Sequence, residues 1–367
     1  MTITHTPLRY SRRDFGKLTL AGVPASVLLA NLPVSAFAEI NSKFKNVQIG
    51  AITYSFNRIA ANPDDLIKAY VTIGLGEMEL MSNHCEALAG APSGRAGGAG
   101  GAGRGAGAPG TPGTPGTPGT PGTPGAPGAG AGAGGQGRGG GRSPLTPEQQ
   151  AAAQEAAKKL LDWRTSATDA TFRPVKQKIE DAGIKLQLLC FNLQDNMTDD
   201  LVDYAFLMAK ALGVKTITTS TTVSMAKRVV PFAEKHKMNL AFHGHDNLSD
   251  PNQFAKPESF KTAMAMSKYY MVNLDIGHFT SAGFDPIPFI KENHARITNL
   301  HLKDKHNPAN GGQNVPWGQG DTPIKDVLLL MSQEKYNFPG NIEFEYQGDP
   351  LVEVPKCLDY VKKALGV

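Results

Sequence analysis

Val272-Asn273-Leu274-Asp275-Ile276-Gly277-His278 is a short apolar run that ends in an acidic and an imidazole side chain. Its length and its content of Val and Leu are typical of a buried strand. Seven further runs of the same kind occur along the chain. The eight predicted strands cover residues 47–54, 76–81, 185–191, 214–220, 238–243, 270–275, 297–302 and 341–346.

Helical patterns separate the predicted strands. Residues 63–73 follow Asn62, a suitable N-cap, and residues 199–212 carry apolar side chains at helical spacing. Regular alternation of strands and helices predicts an α/β fold with a parallel sheet. Eight such units favour closure into a (β/α)8 barrel, so we expect one barrel domain over residues 39–367.

A low-complexity segment interrupts the pattern after the second predicted strand. Residues 90–142 consist almost entirely of Gly, Ala, Pro, Thr and Arg, and Gly recurs at every third position from Gly110 to Gly128. The segment has no apolar side chains to bury, so we expect a disordered or polyproline-like loop inserted in the barrel. Without it, about 275 residues remain for the domain, near the size of a single (β/α)8 barrel.

The first 38 residues have the features of an export signal. Ser11-Arg12-Arg13-Asp14-Phe15-Gly16-Lys17 precedes an apolar stretch over residues 18–32, and Ala36-Phe37-Ala38 supplies small residues for a cleavage site. The arrangement resembles a twin-arginine signal peptide. Because the apolar stretch is short and contains Gly and Pro, we expect no stable membrane span after processing. The predicted location is periplasmic or secreted.

Composition narrows the functional classes. The chain has 367 residues, 40% of them hydrophobic and 19% charged, which is sufficient for a large globular core. The net charge is only +4, so a basic surface that binds nucleic acid is not expected. The cysteines Cys85, Cys190 and Cys357 are odd in number and widely spaced, which predicts isolated, buried thiols.

Four consecutive predicted strands, the fifth to the eighth, end in side chains that can bind a metal or carry a proton. These side chains are His243, His245, Asp275, His278, His301, Lys303, Glu343 and Glu345. Burying such groups without partners is unfavourable, so strands that only pack a core have no reason to end in them. Because the carboxyl ends of barrel strands meet at one end of the barrel, we expect these groups to converge there. Glu79, at the end of the second predicted strand, is a further candidate.

A mixed set of imidazole nitrogens and carboxylate oxygens suits Mn²⁺, Zn²⁺, Co²⁺ or Fe²⁺ better than Ca²⁺, which prefers oxygen ligands alone. The set contains no thiolates, so a structural zinc site is not expected.

Several segments resemble the xylose isomerase-like TIM barrel superfamily, in its sugar phosphate isomerase/epimerase branch. They are Asp275-Ile-Gly-His278, His301-Leu-Lys-Asp304, Val315-Pro-Trp-Gly-Gln-Gly-Asp321 and Gly340-Asn-Ile-Glu-Phe-Glu345. The resemblance covers most of the chain after residue 38, apart from the Gly-rich segment.

The resemblance implies one divalent metal held by four side chains. Ketose epimerases of this kind use a Glu, an Asp, a His and a Glu from the fifth to the eighth strand. The corresponding residues of this chain are His243, Asp275, His301 and Glu345, with His243 standing where the family has Glu. We expect Mn²⁺ as the first choice, with Zn²⁺, Co²⁺ or Fe²⁺ as alternatives. The predicted catalytic residues are Glu345, His243 and Lys303, and the predicted substrate contacts are His278, His245, Glu79 and Trp317.

The resemblance also implies an enzyme that transfers a proton next to a sugar carbonyl, as in isomerisation or epimerisation. Since one of the family's two Glu residues is replaced, metal-dependent cleavage of 3-keto-glycosides is an alternative. A non-catalytic sugar-binding barrel is a third possibility. Endonuclease IV shares the barrel, but it needs three metals, and the export signal and low basic charge disfavour DNA repair. The expected partner is a small sugar or glycoside, with no nucleic acid, and the oligomeric state is open.

Overall fold

The computed structural model describes residues 39–93 and 146–367, and within them eight parallel strands close into a barrel surrounded by helices. The strands are β1 (Lys43–Phe44), β2 (Val47–Ile52), β3 (Glu77–Met81), β4 (Lys185–Cys190), β5 (Thr216–Thr219), β6 (Asn239–His243), β7 (Tyr270–Asp275), β8 (Ile297–Leu302) and β9 (Gly340–Ile342). Strands β2 to β9 pair in chain order, and β2 also pairs with β9, which closes the barrel. All eight predicted strands, and the (β/α)8 barrel, are confirmed.

Helices follow most of the barrel strands and pack on their outer side. They are α1 (Pro63–Ile73), α2 (Ser82–Leu88), α3 (Pro147–Ser166), α4 (Asp169–Asp181), α5 (Asp199–Ala211), α6 (Val223–Arg228), α7 (Val230–His236), α8 (Pro257–Met266), α9 (Ile276–Ser281), α10 (Pro286–Asn293), α11 (Ile324–Glu334) and α12 (Pro350–Leu365). Short 3-10 helices cover Thr53–Phe56, His294–Arg296 and Pro308–Asn310. No helix in the two described ranges is both long and apolar enough to span a lipid bilayer.

Local sequence explains where the predicted helices begin and end. Asn62 accepts a hydrogen bond from the backbone N–H of Asp64 at the start of α1, as predicted. Gly74 ends the same helix with φ of 89°, a conformation that side chains other than Gly rarely adopt. The second predicted helix is α5, where Thr198 accepts from the N–H of Leu201. These caps satisfy backbone groups that the helix itself leaves unpaired.

Strand β1, which the sequence pattern did not predict, helps to cover the amino-terminal end of the barrel. It forms a hairpin with β2 through Lys45 and Asn46, both in the left-handed region of the backbone. The segment before it runs against the start of β3, where Ser42 Oγ accepts from the N–H of Gly76 at 2.9 Å. A Cβ on Gly76 would lie 1.8 Å from the carbonyl oxygen of Ile40, so only Gly permits this approach.

The described chain is interrupted between α2 and α3, after the second barrel strand β3, which is the predicted position of the insertion. Most of the Gly-rich segment and the whole export signal (residues 1–38) lie outside the described residues. The three cysteines are buried and unpaired, as expected.

Candidate metal and substrate site

The interior of the barrel is polar towards its carboxyl end. Side chains alternate along a strand, so Asn273 and Asp275 of β7 share one face, as do Asn299 and His301 of β8. All four are buried, and the amide of Asn299 donates to Asn273 Oδ1 at 3.0 Å. Barrel interiors are usually filled by branched apolar residues. Burying polar groups is unfavourable unless each one has a partner, so a core that only stabilises the fold would be apolar here. The polar layers therefore indicate a functional site.

Four of the buried side chains come together as a group of potential metal ligands, called here the four-donor group: His243, Asp275, His301 and Glu343. One ligand atom from each lies within 4.8 Å of the others. His243 Nε2 is 3.9 Å from Asp275 Oδ2, and His301 Nδ1 is 3.1 Å from Glu343 Oε2. Strands β6, β7 and β8 and the end of β9 each contribute one ligand.

The four-donor group fits a divalent metal by its chemistry and by its unsatisfied atoms. Among the described residues, His243 Nδ1 is buried without a hydrogen-bond partner, and Asp275 Oδ2 accepts no hydrogen bond but lies 3.0 Å from the Lys303 ammonium. Burial, reinforced by the neighbouring His301, holds the pKa of His243 well below its ordinary value, so this imidazole is neutral and able to ligate. Two nitrogens and two oxygens match the preferences of Mn²⁺, Fe²⁺, Co²⁺ and Zn²⁺.

Glu345, which we predicted as the fourth ligand, is not in the four-donor group, and Glu343 takes that position. The N–H of Glu343 donates to the carbonyl of Leu302 at 3.0 Å, so residue 343 still lies beside β8 at the depth of the other ligands. Glu345 shares the same face but lies two residues nearer the rim. Its side chain is 22% exposed, compared with 7% for Glu343.

Lys303 links the carboxylates of the site. Its Nζ lies 3.0 Å from Asp275 Oδ2, 2.9 Å from Glu343 Oε2 and 2.7 Å from Glu345 Oε2. Burial disfavours the charged ammonium, but the three carboxylates outweigh it and hold the pKa of Lys303 well above its ordinary value. Lys303 is therefore a cation at neutral pH, and it orients Glu345 at the rim.

Two further imidazoles, His245 and His278, lie on the β6 and β7 side of the mouth. The ring of His245 is 5.0 Å from that of His243 and 5.3 Å from that of His278, measured between centroids. Burial and the nearby His278 lower the pKa of His245 to about 4, so this ring is neutral at physiological pH. The structure thus brings both predicted substrate contacts to the four-donor group.

The sequence model of one protein family, described as xylose isomerase-like TIM barrel, matches residues 151–364, more than half of the chain. The chain belongs to the xylose isomerase-like TIM barrel family. The comparison with curated proteins gave no match.

Solved structures with the same fold include two enzymes of different kinds. D-psicose 3-epimerase, solved in the presence of D-fructose, is 10% identical with a TM-score of 0.52, over 87% of this chain and 100% of the epimerase. The probable 3-DHS dehydratase AsbF of Bacillus anthracis, involved in petrobactin synthesis, is 12% identical with a TM-score of 0.51, over 87% of this chain and 99% of AsbF. At these identities the likeness shows the fold alone.

Glu79, predicted as a substrate contact of this xylose isomerase-like barrel, lies beneath the site instead. Its side chain is fully buried, and Oε2 is 2.8 Å from Nε2 of His301. The same oxygen accepts from the amides of Asn299 and Asn341, while Oε1 accepts from Thr218 Oγ1 at 2.5 Å. With its oxygens occupied by protein donors, Glu79 is a partner of the ligand His301 and leaves Nδ1 of that ring to face the other ligands.

Trp317, the remaining predicted substrate contact, lies in the loop after β8. Its ring packs against Tyr360 of α12, with 5.7 Å between centroids, and it is not part of the four-donor group. Beside it, Asp304 Oδ2 accepts from the N–H groups of Gly318 at 2.7 Å and Gly320 at 3.0 Å. This clamp directs the loop after β8 towards α12.

Four residues close to the four-donor group were not predicted from the sequence. Asn273 and Asn299 stand two residues before predicted ligands, and strand alternation alone could have identified them as interior residues. Asp246 and Lys305 lie beyond their strand ends, at positions where the sequence pattern carries no signal.

Proposed function

We propose that this member of the family is a divalent-metal-dependent isomerase or epimerase that moves a proton next to the carbonyl of a sugar-like substrate. The four-donor group carries the proposal, because it places four convergent ligands at the end of the barrel where the active sites of this fold lie. The neighbouring lysine, carboxylate and imidazoles supply groups that can hold hydroxyls and transfer protons.

His243, Asp275, His301 and Glu343 would hold the metal. When bound, a divalent cation supplies Lewis acidity, which stabilises negative charge that develops on a substrate oxygen. Glu345, at the rim and beside the ligands, would take the proton from carbon.

Lys303 would keep Glu345 in position through their 2.7 Å contact. His245 and His278 would bind substrate hydroxyls on the other flank.

Cleavage of a 3-keto-glycoside by elimination is a second candidate. The flanks of the four-donor group are chemically different: Glu345 lies on the β9 side, and imidazoles lie on the β6 and β7 side. Reversible epimerisation is simplest with two similar bases on opposite faces of a carbon. Unlike groups suit a reaction in which one removes the carbon proton and the other protonates a departing or newly formed oxygen.

The substrate and location form part of the same proposal. Free sugars are the first choice for assay, since a neighbour in fold, D-psicose 3-epimerase, was solved with D-fructose. Glycosides are the second, because an exported enzyme would meet them readily. Export through the twin-arginine route is supported by the pattern in residues 1–38.

The test combines metal analysis with hydrogen exchange. The purified protein is loaded with Mn²⁺ or Co²⁺ and incubated in D₂O with free sugars, keto-sugars and glycosides, and products are analysed by mass spectrometry. We expect metal-dependent deuterium incorporation next to the carbonyl, and the products separate isomerisation from cleavage. Sugar binding without exchange would favour a non-catalytic barrel. Absence of bound metal, together with no effect of added Mn²⁺ or Co²⁺ on melting or turnover, would exclude the enzyme.

A further inference from the structure

A second charged cluster lies next to the four-donor group, at the ends of β6 and β7. Its centre is Asp246, three residues after β6. Oδ2 of Asp246 accepts from Lys305 Nζ at 2.7 Å and from Ser281 Oγ at 2.6 Å, and it lies 3.2 Å from Nδ1 of His278. These partners come from α9 and from the segment after β8, so one carboxylate oxygen joins three parts of the barrel mouth.

The contact with Asp246 distinguishes the two nitrogens of the His278 ring. Nδ1 of His278 lies 3.2 Å from this carboxylate and 3.5 Å from Lys305 Nζ. A carboxylate only accepts hydrogen bonds at neutral pH, so the shorter contact favours the ring with its hydrogen on Nδ1. Nε2 is then the nitrogen available to a ligand. The backbone also holds this residue, because the N–H of His278 donates to Asp275 Oδ1 at 2.7 Å. The ring is thereby fixed immediately beside a metal ligand.

Asp246 is suited to support a positive imidazole. Burial acts against its charged form, but the hydrogen bonds from His278, Lys305 and Ser281 outweigh this effect and hold the pKa of the carboxyl below its ordinary value. The carboxylate is therefore ionised across the physiological range. When Nε2 of His278 also carries a proton, the charge of the ring is offset at 3.2 Å.

The cluster lies on the opposite flank of the four-donor group from Glu345. Lys303 and Lys305 are two residues apart at the end of β8. Lys303 binds Glu345 on the β9 side, and Lys305 binds Asp246 on the β6 side. A substrate at the metal ligands would thus meet a carboxylate on one flank and an imidazole backed by a carboxylate on the other.

We propose that Asp246 is a positioning residue, which holds His278 with Nδ1 protonated so that Nε2 exchanges protons with the substrate oxygens. The inference rests on the proposed function and identifies His278 as the group that gives a proton to the substrate oxygen. Glu345 takes a proton from the carbon next to the carbonyl, and the C–H electron pair forms the C=C bond of an enediol. The carbonyl π pair moves to its oxygen, which receives the Nε2 proton of His278. In an isomerisation, Glu345 then returns its proton to the other carbon and His278 recovers one from the other hydroxyl.

The first test observes the ring directly. Full-length protein loaded with Zn²⁺ and labelled with ¹⁵N-histidine is examined by two-dimensional NMR, which distinguishes Nδ1–H from Nε2–H. We expect His278 to keep a hydrogen on Nδ1 in both its neutral and its doubly protonated form, and Asp246→Asn to introduce the neutral Nε2–H tautomer. Asp250→Asn is the matched control, because Asp250 lies on the same loop and its carboxylate accepts hydrogen bonds from Asn252 and Gln253. An unchanged His278 spectrum in Asp246→Asn would overturn the proposal.

The second test measures steady-state kinetics with a sugar that exchanges hydrogen in the D₂O assay described above. Asp246→Asn should lower kcat on the order of 100-fold and raise KM by a much smaller factor, since His278 transfers the proton and also contacts substrate hydroxyls. Asp246→Glu should recover part of the loss, and Ser281→Ala, which removes one anchor of the carboxylate, should cause a smaller one. Equal kcat in Asp246→Asn and wild type would refute the role. If the wild type exchanges no sugar, the proposed function fails, while the NMR result still decides the positioning of His278.

Discussion

Replacing Glu77 by Gln should stabilise the protein at neutral and alkaline pH. Glu77 is fully buried in β3, and neither of its carboxylate oxygens has a hydrogen-bond partner. Oδ1 of the neighbouring Asn341 is buried without a partner as well. Burial, and the charge of Glu79, raise the pKa of Glu77 well above its ordinary value. The folded protein therefore holds Glu77 as a neutral acid, whereas the unfolded chain ionises it.

The magnitude follows from the linkage between protonation and folding. The unfolded side chain titrates near 4.5, and below that pH both states are protonated, so the wild type and Glu77→Gln should be equally stable. Above that pH, the wild type loses about 1.4 kcal/mol of stability relative to Glu77→Gln for each pH unit over which its folded state keeps the proton. At pH 7 the difference can therefore reach at most about 3.4 kcal/mol, because Gln is neutral in both states. At roughly 2 °C per kcal/mol for a domain of this size, Glu77→Gln should melt at a higher temperature, by up to about 7 °C.

The assay is thermal melting of both proteins between pH 4.5 and pH 8, with the same metal in excess. Glu79→Gln is the matched control. Its carboxylate accepts from several buried donors, including His301 and Asn299, and an amide cannot replace all of these contacts. We expect this variant to lose about 1 to 3 kcal/mol.

A melting temperature of Glu77→Gln at or below that of the wild type at pH 8 would contradict a neutral, buried Glu77. A gain in melting temperature that did not grow with pH would also contradict it, since the gain would then arise from packing.

Three further predictions concern the site and its support. His301→Ala should abolish bound metal in equilibrium dialysis with metal analysis, and stoichiometric metal in this variant would exclude the proposed ligand set. Asp304→Ala should free the backbone amides of the loop over residues 315–321, so hydrogen exchange there should quicken; unchanged exchange would show that the clamp is dispensable. Gly50→Ala should destabilise by about 1 to 3 kcal/mol, because its Cβ would lie 1.7 Å from Glu77 Oε2, and wild-type melting would contradict this.

The barrel could be predicted from the sequence because its signals are local. Apolar runs of strand length alternate with helical patterns, and each can be recognised within about ten residues. Strand β1 was not predicted because it has only two residues, and because its turn depends on left-handed backbone conformations at Lys45 and Asn46. The Gly-rich composition likewise indicated an insertion in the barrel.

The site was only partly predictable. His243, Asp275 and His301 were expected at the mouth, and the structure groups them, because the carboxyl ends of neighbouring parallel strands must meet. The choice between Glu343 and Glu345 could not be made from sequence. Strand alternation places both on the interior face, but it does not determine how deep each residue lies in the barrel.

The sequence by itself determined the fold, the face of each strand that points inward, and the kinds of ligand that gather at one end. Only the tertiary structure shows how deep each side chain lies in the barrel and which side chains contact each other. It placed Glu79 beneath His301, turned Trp317 towards α12, and brought Asp246 to His278. These contacts join residues far apart in the chain, and they depend on the stagger of the closed barrel and on the path of its loops. Neither is encoded in the periodicity of a single segment.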